Sequence, residues 1–100
     1  MSYADAAADW FAGKLKNIVS GRKVFEFRKE LKKLIEERVR EEKMCIIIAS
    51  HYSSSILRMA ADKAHIPWDK LYLDIRMEIT QEKVVLRQAY GVETVLFEAK

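Results

Sequence analysis

Two hydrophobic periods run along this chain, a helical one in its first two-thirds and a strand-like one towards the end. Ala7, Trp10, Phe11, Leu15, Ile18 and Val19 recur at spacings of three and four, which predicts a first helix over residues 3–20 with one apolar stripe. Ser2 is placed to cap it, Asp5 suits its positive first turn, and Gly21 is placed to end it. A second helix is predicted over 25–43. Phe27, Leu31, Leu34, Ile35 and Val39 lie on one side of it. Its other side carries opposite charges four apart at Lys32/Glu36, Lys33/Glu37, Glu36/Arg40 and Arg38/Glu42. Arg38 falls inside the apolar stripe by angle and is expected to snorkel outward.

Met44-Cys45-Ile46-Ile47-Ile48-Ala49 is apolar throughout and rich in β-branched residues. That pattern predicts a strand covered on both faces or central in a sheet. A third helix follows from about Ser53, its expected N-cap, to Ala64, with Ile56, Leu57, Ala60, Ala61 and Ala64 on one face. Pro67 is expected to end it.

Residues 69–80 decide the fold class. Leu71, Leu73, Ile75, Met77 and Ile79 alternate with Tyr72, Asp74, Arg76, Glu78 and Thr80, the period of a half-buried strand. The segment AADKAHIPWDKLYLDI also resembles a helix-turn-helix. Read as a helix, however, it would turn Leu73 and Met77 into water, so the strand is preferred. Gln81-Glu82 then turns the chain into a strand over 83–90, and Gly91-Val92-Glu93 turns it into a last strand over 94–99. The predicted protein is one α+β domain spanning 1–100. Two N-terminal helices precede strand-helix-strand-strand-strand, with the helices packed on a small, mostly antiparallel four-stranded sheet.

Composition narrows the class. A chain of 100 residues is one domain's length, and 50% hydrophobic with 33% charged residues is globular rather than disordered. No apolar run approaches the ~18 residues of a membrane span. The N-terminus is acidic where a secretion signal would be basic, and the single Cys45 has no disulfide partner. Together these predict a cytoplasmic, intracellular protein that does not engage membranes.

The net charge is only +3, but its distribution is uneven. Residues 14–33 hold Lys14, Lys16, Arg22, Lys23, Arg28, Lys29, Lys32 and Lys33 against Glu26 and Glu30, a local excess of +6. A basic face of this kind can neutralise phosphates and release condensed counterions. These eight residues are therefore the expected nucleic-acid-binding, or more broadly polyanion-binding, site. The order helix-strand-helix-strand-strand over about residues 25–90 also resembles, in topology, the small single-strand nucleic-acid-binding domain named for an Arg-x-x-x-His signature. Here Arg58 is followed four residues later by Asp62 instead of His.

Three other features are candidates for a site. The turn SHYSSS between strand and helix makes His51, Ser53, Ser54 and Ser55 a candidate anion site, although it lacks the glycine and lysine of a phosphate loop. Strand 94–99 carries Val95 and Phe97 on one side and Leu96 on the other. With Trp68, Tyr72 and Tyr90 near it, Leu96 is expected to line an interface to a second copy or another protein. Whether the first helix instead covers that second sheet face is left open by the sequence. Catalytic chemistry has little support: Cys45 sits in an apolar strand, His51 and His65 lack zinc-ligand spacing, and Asp74 and Glu78 flank Arg76 as a charge ladder. No catalytic residue, metal or cofactor is assigned. The expected protein is a small non-enzymatic binding protein, nucleic-acid-associated through its basic face, of the kind a virus or mobile element uses as a regulator. The alternative is a homodimeric protein-protein interaction module that occludes a partner.

Overall fold

The computed structural model describes residues 2–49, 55–67, 70, 73–88 and 91–99. Helix α1 (Tyr3–Leu15) opens on a capping box. The Ser2 hydroxyl accepts the Asp5 N–H at 3.1 Å, and the Asp5 carboxylate accepts the Ser2 N–H at 3.2 Å. The helix stops five residues short of the expected Ser20, because Asn17 takes a left-handed conformation (φ 73°) that few residues other than glycine tolerate well. The N–H groups of Ile18 and Val19 both return to the Leu15 carbonyl. Gly21, expected to end the first helix, is instead the first residue of α2 (Gly21–Glu42), and the Ser20 hydroxyl caps it by accepting the Lys23 N–H.

Helix α2 buries Phe27, Leu31, Ile35 and Val39, a row at four-residue spacing that faces α1 and the sheet. Arg38 is half-buried and reaches Glu42 at 3.6 Å, which is the snorkelling geometry expected of it. Lys43, left-handed at φ 69°, ends α2 and turns the chain into β1 (Cys45–Ala49).

Helix α3 (Ser55–Lys63) buries Ile56, Leu57, Ala60 and Ala61. It ends in a Schellman turn: His65 is left-handed, its N–H donates to the Asp62 carbonyl, and the Ile66 N–H donates to the Ala61 carbonyl. The expected cap Ser53 and Trp68 both lie outside the described residues.

The sheet is antiparallel in the order β1-β2-β3-β4, with β2 at Ile75–Ile79, β3 at Lys83–Gln88 and β4 at Glu93–Glu98. Of the strand expected over 69–80, residues 75–79 form β2, with Ile75, Met77 and Ile79 buried and Arg76 exposed, while residues 69, 71 and 72 lie outside the described residues. Leu73 and Asp74 precede the strand, and Asp74 bends the chain at φ 50°.

The expectation for β1 is corrected too. Strand β1 lies at the edge of the sheet and is covered on one face only: Cys45, Ile47 and Ala49 are buried, whereas Ile46 and Ile48 are exposed. The residues buried in β1, β2 and β3 share one face, and all three described helices pack against it. The first helix therefore does not close the second face.

Candidate interaction surfaces

The eight basic residues of 14–33 do not form one free cationic face. Helices α1 and α2 run side by side, which brings Asp5 and Asp9 against the basic row of α2. Arg28 pairs with both carboxylates, reaching Asp5 at 3.1 Å, and the Lys32 ammonium lies 2.9 Å from Asp5. The Lys32 hydrogen bond, seconded by the Ser2 N–H, holds the Asp5 carboxyl well below the usual carboxylate range. Asp5 in turn raises Lys32, and Asp9 raises Arg28. Two cations and two carboxylates thus cancel, reducing the local excess from +6 to +4.

The remaining basic groups fall in different places. Lys14 stacks on the Trp10 ring at 5.0 Å, which leaves its charge intact. Lys23 donates to the His65 carbonyl at 3.1 Å, and Lys33 lies 3.9 Å from Glu30. Lys16, Arg22 and Lys29 are exposed and form no ion pair among the described residues. The residual charge gathers where α1 ends and α2 begins. A groove of about 460 Å³ opens there, lined by Ala12, Gly13, Lys16, Asn17, Val19, Gly21 and Val24.

The second surface is the uncovered face of the sheet. Two cross-strand rows are visible in the register: Ile46-Glu78-Val85-Val95 and Ile48-Arg76-Arg87-Glu93. Arg76 and Arg87 stand directly opposite each other, an arrangement that repels. Glu78 offsets it by lying 3.9 Å from Arg76 and 3.8 Å from Arg87, and Glu93 reaches Arg87 at 3.3 Å. The face therefore carries a neutral charged cluster that runs from β2 to β4, with apolar side chains on β1 and, beside the cluster, on β3 and β4. Those on β1 are Ile46 and Ile48, at 38% and 40% exposure, and those on β3 and β4 are Val85 and Val95, Val95 at 46%.

Of the expected interface residues, Leu96 is half-buried and packs against the core, because a β-bulge between Val84 and Val85 shifts the register of β4. Trp68, Tyr72 and Tyr90 lie outside the described residues. So do His51, Ser53 and Ser54 of the candidate anion site, leaving Ser55 exposed at the start of α3. Among the described residues no three of His, Cys, Asp and Glu gather as a metal site, and no helix is long and apolar enough to cross a membrane. Burial pushes the Cys45 thiol up to about 11, so it is protonated at neutral pH and a poor nucleophile.

No protein-family model matches the chain, and no curated protein sequence matches it. Among solved structures it is similar to the BTG/Tob domain of C. elegans FOG-3, in a doubly substituted variant. The TM-score is 0.82 at 15% identity, over 97% of this chain and 89% of that one. At that identity the likeness concerns the fold alone, which among the described residues is three helices on one side of a four-stranded antiparallel sheet.

Proposed function

We propose that this protein is a non-enzymatic protein-interaction module that self-associates through the open face of its sheet. The observation that carries the reading is the one-sided placement of α1, α2 and α3, which leaves Ile46, Ile48, Val85 and Val95 without a helix over them. The charged cluster beside them holds two arginines and two glutamates. A second copy turned about a two-fold axis presents the same cluster, arginine to glutamate, and the same apolar side chains, which is the self-complementarity an isologous contact needs. With ~4.8 Å between strands and ~3.3 Å per residue, four strands make a face about 19 by 17 Å. That is small beside the ~800 Å² per partner of a standard interface, so the expected dimer is weak and reversible.

The basic face supports nucleic-acid binding less well, since Arg28 and Lys32 are held by Asp5 and Asp9. Sedimentation velocity over a hundredfold concentration range tests the proposal. Mass should rise from monomer towards dimer, and Ile46→Lys, which sets an ammonium opposite Glu78, with Val95→Glu should return it to monomer while the chain stays folded. A monomer throughout, or a dimer indifferent to both changes, refutes the sheet-face reading. Retention of an oligonucleotide with a steep salt dependence would restore the basic-face reading instead.

A further inference from the structure

Unsatisfied charge and unsatisfied apolar surface coincide at one place on the helical side of the molecule. Where α1 gives way to α2, the left-handed Asn17 folds residues 16–20 into a tight corner. Ala12, Gly13, Val19 and Val24 form the apolar lining of the groove there. Ile18 and Phe25, each next in sequence to a lining residue, are 53% and 63% exposed. Phe25 stands two residues before the buried Phe27, and at 100° per residue that sets it about 200° around α2 from the core row. It cannot join the core without rotating the helix. Scattered single apolar residues are ordinary on surfaces, but two large ones flanking an apolar groove are not scattered.

The segment that forms the groove carries charge of one sign. Residues 10–25 contain Lys14, Lys16, Arg22 and Lys23 and no carboxylate. None of the four is neutralised by an ion pair among the described residues, the Lys23 bond being to a neutral carbonyl. The acidic groups of α1 are committed further along, at Arg28 and Lys32.

We propose that this α1–α2 corner is a docking groove for an acidic amphipathic segment of a partner protein. Two apolar side chains, three or four positions apart, enter the groove against Val19, Val24 and Phe25, while flanking Asp and Glu meet Lys14, Lys16, Arg22 and Lys23. The volume lies within the ~300–1,000 Å³ typical of recessed binding sites, and anchors at that spacing are how a helix engages a groove. A phosphate backbone would use the lysines but leave the aliphatic lining empty. The groove shares no residue with the open sheet face, so the two surfaces can be occupied together.

A display library of random peptides about 16 residues long, enough for roughly four helical turns, tests the proposal on the intact protein. Enriched peptides should carry several Asp or Glu and two apolar anchors. They should shift the amide resonances of Gly13, Lys16, Val19 and Val24 and bind less tightly as salt is raised. Gly13→Leu supplies the decisive variant: Gly13 lines the groove and no atom lies within 4 Å of a Cβ built there, so a side chain can be added at that position. Phe25→Glu, at an exposed position, is the second. Both should weaken the peptides tenfold or more, while Val95→Glu on the sheet face leaves them unaffected. No enrichment, enrichment of neutral or basic peptides, or equal binding to both groove variants overturns the proposal. An oligonucleotide that loses affinity through the same two variants overturns it too, and assigns the corner to nucleic acid.

Discussion

Two phenylalanines separated by one residue should behave oppositely when truncated. Phe27 is fully buried in the row that joins α2 to α1 and the sheet. Removing such a ring costs its transfer free energy plus a cavity, ~3–5 kcal/mol in total. A domain of this size has ~5–15 kcal/mol to lose, so Phe27→Ala removes a third or more of it in the middle of that range. At ~4–8 °C per kcal/mol, the melting temperature should fall by more than ~12 °C. Phe25 has 63% of its surface in water. About a third of the ~1.5–3 kcal/mol of full burial is at stake, ~0.5–1 kcal/mol, and alanine returns ~0.5 kcal/mol through better helix propensity. The net change should be under ~0.5 kcal/mol. Urea denaturation followed by circular dichroism measures both midpoints, with the slope checked for constancy. Equal midpoints for the two variants, or a Phe25→Ala loss above ~1.5 kcal/mol, would show that α2 is rotated from the orientation described.

The Asp5 cluster makes an acid-sensitive clamp between α1 and α2. Its folded carboxyl is held below the unfolded value of ~3.9. Its contribution is therefore complete above that pH and declines as pH falls towards the folded value. The gap between the urea midpoints of the parent and Asp5→Asn should be widest near neutrality and narrow below about pH 4, and a gap independent of pH would refute the assignment. Cys45 should react with a thiol reagent only as fast as the native structure opens, and urea should accelerate it, because burial keeps the thiol protonated and covered. Immediate stoichiometric labelling of the native protein at pH 8 would contradict that placement.

Much of the architecture follows from local pattern. The four-residue row Phe27-Leu31-Ile35-Val39 can bury itself only as one helix face, and Ile75-Met77-Ile79 only as one strand face, because each period matches a single backbone geometry. The element order and the α+β class rest on such rows. Pattern fails where both faces carry the same kind of residue. The run Cys45–Ala49 is apolar at every position, so nothing local shows that Ile46 and Ile48 point outward or that β1 is an edge strand. The expected first helix ran on to Ser20 because Ile18 and Val19 keep the stripe in phase. Only the left-handed Asn17 and the Ser20 cap reveal a corner there. A signal for the corner was present in Phe25, which lies outside the four-residue row of α2.

Electrostatics was the least legible, because charges interact through space. Counting acids within 14–33 left the segment at +6, whereas Asp5 and Asp9, 19 to 27 residues away from their partners along the chain, reach Arg28 and Lys32 once α1 lies against α2. The sequence by itself determined which residues are paired with a helical or a strand period, since those periods are properties of the backbone. Only the tertiary structure decided which sheet face stays open and which cations stay unpaired, since both depend on what packing brings beside them.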